Sequence, residues 1–181
     1  HGRRLAREPL HPRLAHMLVK AGKQAAPLAA LLADRDPLRG VGTDLGLRLR
    51  ALKSPQGFGE AAHRGAIARI KDEAKRLTKG QKDHARLGTA SMAALAYPDR
   101  IGKRRPGEAP RYVLSGGKGA VLPEGDALAG HALIVATDLD GNPREARIRQ
   151  AAALSIGELE DLFGDQIDWV DTCHWSKREG A

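Results

Sequence analysis

Residues 93–118 read AALAYPDRIGKRRPGEAPRYVLSGGK, and the order of residue types in this stretch decides the fold. The alanine-rich, helix-favouring segment stops at Tyr97-Pro98, because a proline pushes the residue before it out of the helical region. A cationic run follows, with Arg100, Lys103, Arg104 and Arg105 within six residues. Arg111-Tyr112-Val113-Leu114 then reads as a strand, and Ser115-Gly116-Gly117-Lys118-Gly119 as a turn with Lys118 at its tip. The stretch is a junction between a helical region and a small β region, with cations at the mouth of the β region. A cationic mouth on a small sheet suits a polyanion.

Upstream of the junction the apolar period is helical. His11-Pro12 places proline at a first helical position; Leu14, Met17, Leu18 and Ala21 follow at helical spacing, and Gly22 closes the segment. Leu28, Leu31 and Leu32 mark a second helix, broken by Asp34-Arg35-Asp36-Pro37. Leu45, Leu49 and Leu52 mark a third, stopped by Ser54-Pro55. The spacing predicts the longest helix over about 59–79, with His63, Ile67, Ile70, Ala74 and Leu77 as its apolar face. A last helix is predicted over about 88–96. On the long helix Arg64, Lys71 and Lys75 share one stripe (i, i+7, i+11). Between Arg64 and Arg86 only three acids stand among eight basic residues. This stripe reads either as a solvated face or as a secondary phosphate-facing rail.

Downstream the period changes to two. Ala120-Val121-Leu122 pairs with the first strand, residues 131–138 (HALIVATD) form an apolar strand, and Asp140-Gly141 signals a hairpin. Arg144–Gln150 alternates, with Ala146 and Ile148 on one face and Arg147 and Arg149 on the other. Ser155-x-x-Glu158 is a capping box opening a short helix that Gly164 closes, and residues 166–171 (QIDWVD) read as a last strand. The fold class is α+β: an N-terminal helical bundle followed by a small Greek-key barrel of the oligonucleotide-binding (OB) type.

The chain has 181 residues, enough for one large or two small domains, with 30 Lys and Arg against 22 Asp and Glu, a formal charge of +8. That balance favours an anionic partner. Aromatics make up 3%, so contacts to phosphates and sugars are expected rather than base stacking. A single cysteine, Cys173, allows no internal disulfide and points to a reducing, cytoplasmic setting; beside His174 it reads as a structural residue. No run approaches the roughly 18 apolar residues of a membrane span. The start, HGRRLAREPL, lacks an apolar signal core and reads as the beginning of a piece of something longer.

Other chemistries fail on spacing. Gly116-Gly117-Lys118 lacks the first glycine and the Ser or Thr of a phosphate loop, and Ala-Val-Leu-Pro follows where a helix is needed. IVATDLDGN (134–142) resembles the nucleophile strand of haloacid-dehalogenase-type phosphatases, with Asp138 and Asp140 as the pair. Too little chain follows for that α/β domain, however, and REARIR returns as a hairpin arm. The seven histidines are scattered without metal-ligand spacing, and no catalytic constellation stands out. What survives is the basic set: Arg100, Lys103, Arg104, Arg105, Arg111 and Lys118 as candidate nucleic-acid contacts, with Arg147 and Arg149 from the same region.

The segments HPRLAHML, LAALLADRDPLRG, DLGLRLRAL, ALAYPDRIGKRR, RYVLSGGKGAVLP, LIVATDLDG and EARIRQAAAL resemble, in order and over nearly the whole chain, the C-terminal half of the HrpB family of bacterial DEAH-type ATP-dependent helicases. The resemblance implies the tail of a winged-helix domain over 1–10, a ratchet-like helical helicase-associated domain over 11–96, and an OB-like domain over 97–181 that is truncated at its C-terminus. It implies a single-stranded nucleic acid, chiefly RNA, as partner, together with RecA-like motor domains that hold ATP and magnesium. This chain carries no phosphate loop, DEAH box or arginine finger, so it is expected to hold no cofactor and to have no ATPase activity of its own. Arg100, Arg104, Arg105 and Lys118 are the contacts the resemblance carries over. The other reading of the same charge is a docking module for the motor domains or an acidic partner.

Overall fold

In the computed structural model, residues 9–164 are described; residues 1–8, the strand expected over 166–171, and Cys173 with His174 lie outside them. Helix α1 (Pro12–Ala21) starts as expected, with proline at its first turn and the His11 side chain accepting the Arg13 N–H at 3.1 Å. Gly22 ends it at φ 77°, and a Cβ there would sit 2.3 Å from the Lys82 carbonyl oxygen, so only glycine fits. After a 3-10 segment (Gly22–Ala25) come α2 (Ala26–Leu32), α3 (Leu45–Lys53), α4 (Arg64–Thr78) and α5 (Thr89–Ala96). Met17, Leu28, Leu31, Leu45 and Ile70 are fully buried between them.

The long helix begins five residues later than its spacing predicts. Residues Pro55–Ala61 form a 3-10 segment with Gly59 at φ 53°, a conformation that interrupts an α-helix. His63 is therefore the N-cap rather than part of the apolar face, its Nδ1 accepting the Ala66 N–H at 2.9 Å. Ile67, Ile70 and Leu77 are buried as expected, and Ala74 is half-buried.

The β region is a closed five-stranded barrel: β1 (Ile101–Arg104), β2 (Arg111–Leu114), β3 (Gly119–Val121), β4 (Leu133–Leu139) and β5 (Glu145–Ala153), in the order β1-β2-β3-β5-β4. All neighbours are antiparallel except β3 and β5, which run parallel. This is the OB-like order. Strand β1 grows out of the basic run, which the sequence shows as charge rather than as a strand. It closes the barrel by pairing with both β2 and β4. Gly102 makes that closure possible, because a Cβ there would lie 3.0 Å from Leu114 and 3.3 Å from Tyr112. The barrel interior holds Tyr112, Leu114, Ala120, Ile134, Ala136 and Ile148. Tyr112 donates its hydroxyl to the His131 carbonyl at 2.7 Å, the partner a buried phenol needs. Helix α6 (Ile156–Phe163) follows β5, with the expected capping box formed.

The helical region and the barrel share one hydrophobic core. Leu133, Val135, Ala152 and Leu154 of the barrel cluster with Leu45, Ala93 and Ala96 of the helices. Thr43 fastens the other side, bonding through its N–H and hydroxyl to the Asp126 carboxylate at 3.1 and 2.9 Å. No helix among the described residues is long and apolar enough to cross a membrane.

Candidate nucleic-acid interface

Strand register decides which cations meet. Arg111 lies opposite Val121, and Val121 opposite Arg147. The Arg105 N–H donates to the Arg111 carbonyl at 2.8 Å, placing Arg105 at the head of the same row. Tyr112, Ala120 and Ala146 point inward and are fully buried, so by the alternation of a strand the row Arg105–Arg111–Val121–Arg147 faces out. Lys103, opposite Val113, stands on the adjacent outward row and is exposed. The surface over β2 and β3 with its flanking loops is the one OB barrels present to oligonucleotides.

One acid tempers this face. Glu145 forms an ion pair with Arg111, its carboxylate 3.3 Å from Nε, with both side chains partly exposed. Lys118 sits exposed at the tip of the β2–β3 turn, where Gly117 has φ 98°. Arg144, which the sequence pattern makes the first residue of the strand, lies immediately before β5 and is exposed near the start of β3.

Two of the nominated arginines are turned elsewhere. Arg104 spends its guanidinium on backbone carbonyls: Nε on Ala129 at 2.7 Å, Nη1 on Gly107 at 3.1 Å and Arg105 at 3.3 Å, and Nη2 on Glu108 at 3.5 Å. It braces the loop that carries Arg105. Arg100 is turned into the junction, donating to the Thr137 carbonyl of β4 at 3.2 Å and lying 5.1 Å from the centre of the Tyr97 ring. The same ring carries Arg13 at 4.9 Å. Arg13 grips Asp99 with two bonds of 2.6 and 3.1 Å and also donates to the Ala96 carbonyl. Tyr97-Pro98-Asp99-Arg100 is thus a seam between α1 and the barrel. Nothing in the residue spacing announces it, because Arg13 and Asp99 are far apart in sequence.

Electrostatics agree with the geometry. The Arg13 hydrogen bond holds the Asp99 carboxyl below its ordinary range despite partial burial. Burial pushes the Tyr97 phenol up, against the lowering effect of Arg100 and Arg13. The Asp140 carboxyl is held down by the backbone N–H groups of Arg147 and Asn142. Asp140 therefore serves as the cap of the β4–β5 hairpin, which accounts for a DxDG sequence without phosphatase chemistry.

Arg64, Lys71 and Lys75 form the expected exposed stripe on α4, but on the helical region and not on the strands that carry the barrel row. Their neighbours Arg69 and Arg76 are paired with Asp34 and Glu73. Among the described residues no group of acids, histidines or cysteines could hold a metal.

A helical region joined through a common core to a basic OB-like barrel fits the helicase-associated class of module, and comparison with known proteins agrees. The chain is 32% identical, over 99% of its length, to the ATP-dependent RNA helicase HrpB of Escherichia coli K12, of which it spans 22%. Solved structures that it resembles include the E. coli DExH-box NTPase HrpB (TM-score 0.61, 34% identity, 83% of this chain and 18% of that one) and the E. coli DEAH/RHA helicase HrpB (0.60, 29%, 80% and 18%). No protein-family model matches. The chain therefore resembles a segment of HrpB from end to end, about a fifth of that protein's length.

Proposed function

We propose that this chain is a non-catalytic, nucleic-acid-binding part of an ATP-dependent RNA helicase, gripping the single strand by its phosphates while RecA-like domains elsewhere hold ATP and magnesium. The observation that carries this is the row Arg105–Arg111–Val121–Arg147, which runs from just past β1 across the outer face of β2, β3 and β5. Arginine suits such a row because its planar fork donates to phosphate oxygens in pairs. Lys103 and Lys118 extend the row toward the turn, Arg104 holds the loop that presents Arg105, and the α4 stripe is a secondary basic surface. Similarity to HrpB supports the helicase setting.

The test is fluorescence anisotropy with labelled single-stranded RNA and the whole chain. Weak, salt-sensitive binding with no ATP hydrolysis is expected. Replacing Arg105 and Arg111 together by Glu should weaken it several-fold to tenfold regardless of base sequence. Undiminished binding in that variant would sink the proposal. Co-purification with the motor domains without RNA affinity would favour the docking alternative.

A further inference from the structure

Between the end of α2, the start of α1 and strands β4 and β5 lies a groove of about 630 Å³, a volume suited to a nucleotide-sized ligand. Arg35 reaches it from the helical region, Arg149 from the barrel, and Arg100 from the seam; Asp138 and His11 complete its polar rim. Asp34 and Asp36 also border the groove, but each is committed elsewhere.

Arg35 stands between two acids and forms a close ion pair with neither, although its charge still acts on Asp34 at longer range. Asp34 binds Arg69 of α4 at 3.3 Å, and Asp36 binds the buried Arg48 of α3 at 2.8 Å. The same carboxylates accept backbone N–H groups of their own loop, Asp34 from Arg35 and Asp36 from Leu38. The loop is pinned on both sides of Arg35, so that its exposed side chain is presented from a fixed base.

Across the groove, Arg149 is exposed and has no ion-pair partner among the described residues. The nearby Asp140 carboxylate is occupied by the Arg147 and Asn142 N–H groups at 2.9 and 3.1 Å. Arg100 bonds a carbonyl and a ring and acts on Asp99 only at longer range, whereas Arg13 holds Asp99 directly. Three cations therefore face one uncommitted acid, Asp138. Arg149 also follows Arg147 by two residues on the outward side of β5, about 7 Å along the strand. The row on the barrel thus runs toward the groove, with the Asp140 carboxylate beside Arg147 and Arg149.

We infer that this groove is a second phosphate subsite, in which Arg35 and Arg149 clamp the backbone of a single strand that has already crossed the barrel's outer face. The inference rests on the proposed function and extends it by naming where a longer strand goes. The groove also has the chemistry of a site for free phosphate or a mononucleotide, and the test separates these sources.

Anisotropy with the whole chain should be measured on labelled RNAs of four and twelve nucleotides, with inorganic phosphate and AMP as competitors. For the parent, the 12-mer should bind more tightly. Its log–log salt slope should be steeper by about 1.4, from two added contacts at about 0.7 each. Arg35→Ser with Arg149→Ser should abolish that difference and change the 4-mer by less than twofold; Arg35→Lys with Arg149→Lys should restore part of it. Arg105→Ser with Arg111→Ser should weaken both lengths. If the Arg35/Arg149 variant binds the 12-mer like the parent, the groove inference is overturned while the barrel reading stands. Should millimolar phosphate or AMP erase the length difference, the groove is a small-anion site and the strand path is wrong. Failure of the parent to bind either RNA overturns both readings.

Discussion

Glu145→Gln is the most informative single change on the barrel face. Glu145 lies 3.3 Å from Arg111 Nε, with the two side chains 33% and 56% exposed. A pair this accessible is worth about 0.2–1 kcal/mol. Its removal should therefore leave folding nearly untouched while releasing Arg111 for phosphate. If releasing that pair transfers the same energy to RNA binding, affinity rises about 1.4- to 5-fold at low salt. The salt dependence gives a second number. Each phosphate neutralised on a single strand contributes a slope of about −0.7, so Arg105 and Arg147 alone give about −1.4 and the full row about −2.1. Between 50 and 200 mM salt those slopes mean losses of about 7-fold and about 18-fold. The parent should fall between them, Glu145→Gln near the steeper value and Arg111→Ser near the shallower one. In an Arg111→Ser background Glu145→Gln should do much less, since only the general removal of one negative charge remains. Equal gains in both backgrounds, by anisotropy over a salt series, would refute the idea that Glu145 holds Arg111 in reserve.

Other consequences are structural. Arg13→Met removes the paired bonds to Asp99 and the contact with Tyr97, a loss of about 1–2 kcal/mol; thermal unfolding should fall by about 2–8 °C. Because Asp99 titrates lower in the folded chain than its ordinary 3.8, its contribution is complete above that pH and fades as pH drops through the folded value. Denaturant midpoints of Asp99→Asn and the parent should therefore differ at pH 7 and converge below about pH 4; a constant gap at both pH values would contradict the pairing. Asp36→Asn strips the partner from Arg48, whose side chain is 3% exposed. It should cost about 2–3 kcal/mol in urea melts, less than for a wholly buried pair because Asp36 itself is partly exposed. Gly102→Ala forces a methyl against Leu114 and Tyr112 at the barrel closure and should cost about 1–3 kcal/mol; a neutral result would mean that β1 yields easily.

Much of the architecture was legible because local rules and tertiary packing agree. Pro12, Gly22, Ser54-Pro55 and the Ser155–Glu158 capping box mark boundaries that the structure keeps within a residue or two, since each acts through backbone geometry within a single turn. Alternation in β5 was readable because one side of the strand is sealed inside the barrel and the other is not. Strand β1 was hidden because Ile-Gly-Lys-Arg has little strand character of its own; long-range pairing with β2 and β4 makes it a strand. The same holds for the site. Charge was visible, but register selects Arg105, Arg111 and Arg147 as a row, while the Ala129 carbonyl, 25 residues away, and carbonyls of its own loop claim Arg104. A side chain's direction depends on partners that residue spacing does not reveal.

The stretch at residues 93–118 acquires a second meaning from this geometry. Its helix-ending Tyr97-Pro98 breaks the periodicity, and it also forms the fixed point at which Arg13, Asp99 and Arg100 hold α1 against the barrel. The Ser115 hydroxyl and the Gly116 N–H bond to the Pro98 and Asp99 carbonyls, tying the β2–β3 turn that bears Lys118 to the same point. With Thr43 bound to Asp126 and a core running through both regions, the helices and the barrel are held at three separated places. A groove built between elements held this way needs no closing motion to bring Arg35 opposite Arg149. Preformed cations lose little freedom when a phosphate arrives, so a short basic row and a fixed groove could hold a moving strand weakly at many phosphates without reading its bases. That mode of contact suits a segment low in aromatic residues, because affinity then depends on the spacing of charges and leaves the strand free to advance.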